Sequence, residues 1–159
     1  MRLLIAAVGH RQPDWVETAF GEYAKRMPRE ARIELVEIRP ETRSDNAGDA
    51  AVGKLLEKEA KRIDAALPSG CTRIALSERG EHFTTRALAR ALEGWLGDGR
   101  DVAFLIGSAD GLHPDLENGA GRRMALSAMT LPHGLARVLL AEQLYRALSL
   151  IKGHPYHRD

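Results

Sequence analysis

Val102-Ala103-Phe104-Leu105-Ile106, followed by Gly107-Ser108-Ala109-Asp110-Gly111, is the stretch on which the fold turns: five apolar residues without a polar interruption, then a short loop bracketed by glycines. Such a run suits a strand covered on both faces, as in a parallel sheet, and not one that alternates between core and water. A glycine directly behind the strand permits a sharp turn or a close approach of the backbone to a ligand. Taken alone, the Gly-x-x-x-Gly spacing fits an ordinary turn better than a binding loop.

Working outward, residues 3–8 repeat the same pattern, Leu-Leu-Ile-Ala-Ala-Val, and read as a second buried strand. Pro13-Asp14 opens a helix to about Met27, with Trp15, Ala19, Tyr23 and Met27 recurring every four residues on its predicted inner face and Pro28 as the stop. Residues 33–38 are a strand, and the polar stretch 39–47 is a surface loop. A helix over 48–67 places Val52, Leu55, Leu56, Ile63 and Leu67 inside and its lysines and glutamates outside. Residues 73–77 form a strand, and Thr84 or Thr85 caps a helix running through Leu88, Ala91, Leu92 and Trp95. A short helix is expected near 114–119, a fifth strand over 124–131 and a last helix over 135–151. Strands alternating with helices give an α/β fold, a mainly parallel sheet flanked by helices, as a single domain over residues 1–159.

Composition sets the class. The 159 residues are 44% apolar and 28% charged, as in globular proteins and unlike disordered chains. No stretch of about 18 consecutive apolar residues exists, and the apolar start is shorter than the core of a signal peptide. With one cysteine, Cys71, an intrachain disulfide is impossible; Cys71 reads as a small buried residue, and a cytoplasmic setting is expected. The net charge of +1 does not announce a nucleic-acid binder, so any contact with RNA is local. His133, His154 and His157 cluster at the C-terminal end with Arg137, Arg146, Lys152 and Arg158, which makes that end the place to look for a polyanion.

Several chemistries are disfavoured. The first strand is followed by Gly9-His10-Arg11-Gln12-Pro13, which lacks the glycine pattern of a dinucleotide fold, and no Gly-Lys-Ser/Thr forms a phosphate-cradling loop. His154 and His157 stand three apart without further ligands at recognisable spacing, so no metal site is expected. Ser127 and Ser149 lack the context of a hydrolase nucleophile. In open parallel sheets ligands bind beyond the carboxyl ends of strands, which directs attention to residues 76–80, 107–111 and 126–133.

The C-terminal third carries a longer pattern: Leu126-Ser127-Ala128-Met129-Thr130-Leu131-Pro132-His133, then residues 135–147 (Leu-Ala-Arg-Val-Leu-Leu-Ala-Glu-Gln-Leu-Tyr-Arg-Ala), ending His154-Pro155-Tyr156-His157-Arg158. With Pro13-Asp14-Trp15, residues 98–102 (Asp-Gly-Arg-Asp-Val) and Leu105-Ile106-Gly107, it resembles the RlmH family within the SPOUT methyltransferases, over essentially the whole chain. The resemblance implies a C-terminal trefoil knot, a homodimer, S-adenosylmethionine as cofactor, and methylation of nitrogen-3 of a pseudouridine in 23S ribosomal RNA of the large ribosomal subunit or assembled ribosome. Many relatives carry two adjacent glycines where this chain has Gly107-Ser108, and serine takes positive φ less readily.

The residues expected to hold the cofactor are Leu76, Gly107, Leu126, Ser127, Ala128, Met129, Thr130 and Leu131, with apolar side chains around an adenine and backbone groups reading its edge. His133, Arg137, Tyr156, His157 and Arg158 are the catalytic candidates. Either His133 or His157 could take the imide proton, and Arg158 or Arg137 could stabilise the charge on the flanking carbonyls. Glu142 reads as an anchor for a basic partner. Five residues past a helix end reach only about 15 Å, so the tail is expected to complete the pocket of a partner chain packed through the last helix. A non-catalytic ribosome-binding or assembly factor and a small-molecule transferase are the competing functional classes.

Overall fold

Residues 3–8 and 102–105 are at most 2% exposed, because both faces of their strands are covered by helices. The computed structural model describes residues 1–9 and 11–157. In chain order the elements are β1 (Arg2–Val8), α1 (Asp14–Ala24), β2 (Arg32–Ile38), α2 (Asp49–Ala66), β3 (Thr72–His82), α3 (Thr85–Asp98), β4 (Val102–Ile106), α4 (Pro114–Gly119), β5 (Arg122–Ala125) and α5 (His133–Ile151). The strands form one sheet in the order β2-β1-β4-β3-β5, and every pairing is parallel.

Side-chain alternation splits the core into two layers. Leu3, Ile5 and Ala7 of β1 and Val102, Phe104 and Ile106 of β4 pack with α1, α3 and α5. Leu4, Ala6 and Val8, with Ala103 and Leu105, face α2 and α4 instead. The register between the central strands starts at Leu3 opposite Val102. It is clamped there by Asp101, whose carboxylate accepts from the Arg2 backbone N–H at 2.7 Å and from its guanidinium at 3.0 and 2.7 Å. Burial alone would push the Asp101 carboxyl up; the hydrogen bonds and charge of Arg2 win and hold it below the ordinary range.

Local chemistry sets the ends of α3. Thr84 caps it by accepting from the Ala87 N–H at 3.1 Å, and Gly99 closes it in the left-handed region at φ 68°. The inner face of α1 departs from the predicted one at its start, where Val16 and Phe20 are buried while Trp15 is 58% exposed; Tyr23 and Met27 pack on the core as expected. Two adjacent stripes on this helix are both apolar at a spacing of four, so periodicity does not select between them, and docking on α5 does. In α2, Leu56 and Ile63 face inward as expected, but Glu59 joins them as a buried carboxylate.

The sheet also departs from expectation at its edge. β3 runs on to His82, and its pairing with β5 slips: Met124 stands opposite both Leu76 and Glu81, so residues 77–80 bulge out. β5 ends at Ala125, six residues short of the predicted strand end. It is an edge strand with a neighbour on one side only, and beyond Ala125 its apolar residues leave the sheet.

The bulge depends on Gly80, where a β-carbon would lie 2.7 Å from the Arg123 carbonyl carbon and the Met124 nitrogen. Both are backbone atoms and cannot swing aside. Gly80→Ala is expected to destabilise the fold by about 1–3 kcal/mol through the forced backbone shift. Urea unfolding checks this, and an unchanged midpoint would show that β5 can slide away from β3 at no cost.

Candidate functional site

All five strands point the same way, so the carboxyl ends of β3, β4 and β5 open onto one edge of the sheet. A cavity of about 670 Å³ lies there, a size suited to a nucleoside-sized ligand. Its walls come from residues 76–79 of β3, 106–112 behind β4, Glu117 of α4, the segment 126–132 behind β5, and His133 and Ala136 at the start of α5.

The 107–111 wall is a tight turn. The Gly111 N–H donates to the Ser108 carbonyl at 2.8 Å, and the positive φ falls on Gly111, at 82°, not on Ser108. Ser108 is thus not asked for the conformation that serine takes less readily, and no non-glycine among the described residues has positive φ. Gly107 is also required by the turn itself. A β-carbon there would sit 2.3 Å from the Gly111 carbonyl carbon and 2.7 Å from the Leu112 nitrogen, so the turn folds back directly over it.

The 126–132 wall is a loop held by its own side chain, with the Met129 N–H donating to the Ser127 hydroxyl at 2.9 Å. It presents backbone groups and apolar side chains to the cavity, and Met129 is 77% exposed. Of the residues expected to hold a cofactor, Leu76, Gly107, Leu126, Ser127, Met129, Thr130 and Leu131 line the cavity; Ala128 is in the same loop, exposed, but is not part of the lining. Sequence reasoning missed Glu117, a carboxylate only 5% exposed whose Oε1 has no hydrogen-bond partner and whose Oε2 accepts from Arg79 at 3.3 Å. Its position on a short helix gives no sequence signal.

The catalytic candidates divide into two groups. His133 lines the cavity, and Arg137, one turn further along α5, lies behind it at 1% exposure. A guanidinium can only donate, so the 3.4 Å contact from Arg137 Nη2 makes His133 Nδ1 the acceptor and puts the ring proton on Nε2, which is buried without a partner. Burial first, and the Arg137 charge second, push the His133 ring down to about 4. Burial likewise lowers Arg137, with Glu37 and Glu17 opposing it only at a distance.

Tyr156 and His157 are at the other end of α5. The Tyr156 hydroxyl donates to Glu142 at 3.1 Å and its ring packs on Tyr145 at 4.6 Å between centroids. His157 Nδ1 lies 3.4 Å from the Ser149 hydroxyl. Burial, then Glu142, pushes the Tyr156 phenol up to about 12. Glu142 also accepts from Arg146 at 2.8 Å, so the basic partner expected for it is in the same chain. Nine helical residues separate Glu142 from His133, about 13 Å along the axis, and neither tail residue lines the cavity of its own chain. Arg158 lies outside the described residues.

Against known families, residues 1–157 match the model described as predicted SPOUT methyltransferase. The chain is 59% identical over 158 residues to the ribosomal RNA large subunit methyltransferase H of Nitrosospira multiformis, 58% to that of Ralstonia pickettii and 57% to that of Burkholderia multivorans, each alignment covering 99% of both chains. The chain belongs to the SPOUT methyltransferases, in the family of these large-subunit enzymes. Among solved structures, this SPOUT chain is similar to a methylase family protein from Neisseria gonorrhoeae, with a TM-score of 0.53 and 17% identity over 91% of this chain and 80% of that one. A methylase family protein from Haemophilus influenzae Rd KW20 gives 0.51 and 14%, over 99% and 70%. These two likenesses concern the fold alone.

The geometry around Arg137 sets a measurable titration in this SPOUT chain. The His133 ring is expected to stay neutral at pH 7 and to take a proton only near pH 4, where a free histidine takes one at about 6.5. The unfolded chain binds that proton first, so the contribution of His133 to stability is complete above about pH 6.5 and fades as the pH falls toward 4. A histidine-resolved NMR titration checks it; a His133 midpoint near 6.5 would mean that the ring is solvated.

Proposed function

We infer that the cavity binds S-adenosylmethionine and that the protein methylates nitrogen-3 of a pseudouridine in 23S ribosomal RNA, in the large subunit or assembled ribosome, in the cytoplasm. The single observation that carries the donor site is the meeting of three strand-end segments, 76–79, 106–112 and 126–132, around one cavity of nucleoside size. Near-60% identity over the full length to proteins named for large-subunit ribosomal RNA methylation supports the substrate class. A non-catalytic assembly factor would have no need of such a cavity.

The residues present fit the donor. Exposed backbone groups of the 126–131 loop suit the edge of an adenine, and Leu76, Leu126 and Leu131 supply apolar surface for its faces. When bound, S-adenosylmethionine supplies a methyl group on a positively charged sulfur. The protein's task is then to orient the acceptor nitrogen and manage its proton. In the His133 ring Nδ1 is occupied by Arg137 and the Nε2 proton is buried, so this residue is not placed to take the imide proton and serves as a neutral wall of the cavity. Proton acceptance then passes to His157, and charge stabilisation to Arg158, with Tyr156 holding the tail on Glu142.

These tail residues serve a pocket other than their own, which calls for a homodimer packed through α5. Leu139, 37% exposed on that helix, and Met129 in the cavity loop offer apolar surface for such an interface. The C-terminal trefoil knot belongs to the same reading, with the segment that includes β5 and the 126–132 loop as its threaded part.

Two measurements test this function. Gly107→Val forces the turn off its seat, and S-adenosylhomocysteine affinity by calorimetry is expected to fall more than tenfold, about 1.4 kcal/mol; unchanged affinity in a folded variant would place the donor elsewhere. Removing residues 154–159 takes away no core residue, so folding and donor affinity should persist while methyl transfer to ribosomes falls about 100- to 1000-fold. Turnover near that of the full chain would return the tail to a solvated end.

A further inference from the structure

The polar loop 39–47 and the cavity turn 107–111 belong to distant parts of the chain, yet both close on one side chain. Glu59, on α2, is 2% exposed, a burial that an ionised carboxylate tolerates only when fully paired. Its Oε2 accepts from Arg43 Nη1 and from the Glu41 backbone N–H, both at 2.9 Å. Its Oε1 accepts from Arg43 Nη2 at 3.0 Å and from the Ser108 hydroxyl at 2.9 Å. Arg43 completes the ring, donating to Ser108 Oγ at 2.5 Å, to Asp110 at 2.8 Å through Nε, and to the Glu41 carbonyl at 2.9 Å.

Every hydrogen-bonding position on the Glu59 carboxylate is used by something that belongs to the loop or to the turn. Burial disfavours its charge, and the hydrogen bonds from Arg43, Glu41 and Ser108 outweigh that, holding the carboxyl below its ordinary range. Within the turn the Gly111 N–H donates to the Ser108 carbonyl, and Ala109, Asp110 and Gly111 are exposed. Ser108 and Asp110, two of its cavity-lining residues, are tied from behind through Glu59 and Arg43.

We propose that Glu59 is a positioning residue for the donor site, acting through Arg43 and Ser108 to hold the 107–111 wall at the spacing that accepts the ligand. The proposal rests on the reading of this cavity as the methyl-donor site. It separates from a purely stabilising ion pair by what it predicts for binding. A buried pair that served the fold alone would change stability without changing affinity for a ligand more than one side chain away. Ser108 supplies the hydroxyl at the point where the turn meets the carboxylate.

The test uses the intact protein, with S-adenosylhomocysteine as probe in calorimetry and thermal unfolding run on the same samples. Ser108→Ala keeps an ordinary backbone conformation and removes only the hydroxyl; affinity is expected to fall about three- to tenfold with the fold retained. Glu59→Gln keeps the shape but not the charge, and should cost roughly tenfold or more. Ser108→Ala should cost less in the Glu59→Gln background than in the unaltered chain, because the two residues act through one hydrogen-bonded network. In methyl transfer, KM for S-adenosylmethionine should rise in both variants while kcat at saturation stays within about twofold of the unaltered chain.

Affinities for Ser108→Ala and Glu59→Gln within about twofold of the unaltered chain would overturn the proposal. So would additive losses in the double variant, which would mean that the two residues act separately. Failure of the unaltered chain to bind the probe at all would overturn the donor reading of the cavity, and the positioning role with it.

Discussion

The pairing of β1 with β4 at the middle of the sheet is the constraint on which everything else in the structure rests. Both strands are without water on either face, and burial of each large aliphatic or aromatic side chain there contributes about 1.5–3 kcal/mol. Because β1 and β4 run in parallel and every other strand follows them, all carboxyl ends arrive at one edge. Loops leaving that edge are free of the sheet's hydrogen-bonding demands. The site is therefore a consequence of strand direction before it is a consequence of any side chain.

What the central pair secures, the edge gives up. Residues 126–131 leave the sheet; Leu126 still packs on the core, and the segment forms a wall of the cavity with Met129 largely exposed. Beneath that wall, Arg137 is buried with no carboxylate at ion-pair distance among the described residues, and His133 keeps an N–H without a partner. Unpaired groups of this kind cost free energy, and the core's surplus sustains them. A neutral His133 is the chemical result, since burial and the neighbouring Arg137 charge both oppose its protonation.

The length of α5 then decides how the site can be completed. His133 begins the helix at the cavity, while the 152–157 segment folds back at its far end onto Glu142 and Ser149. One rigid helix cannot bring its own two ends together. Residues that look like one constellation in sequence are thus held apart within a chain.

The sequence by itself determined the layers, the parallel sheet and the three strand-end segments that line the cavity, because two-faced burial and glycine-bounded strand ends are local properties written in composition and spacing. The family pattern in residues 126–147 was legible for the same reason. Tertiary structure alone decided the rest. It chose the Val16–Phe20 stripe of α1 over the equally apolar one beside it, through packing on α5. It ended β5 at Ala125, because an edge strand stops where its neighbour does. It brought Arg43, Glu59 and Ser108 together from three separate segments, and a buried carboxylate on a helix whose other acidic residues, Asp49, Glu57 and Asp64, are exposed carries no local mark. It also gave Gly107 and Ser108 their actual constraints: the position of a turn folded back on itself is set by atoms four residues away and by side chains on another layer, and neither distance is encoded in spacing along the chain.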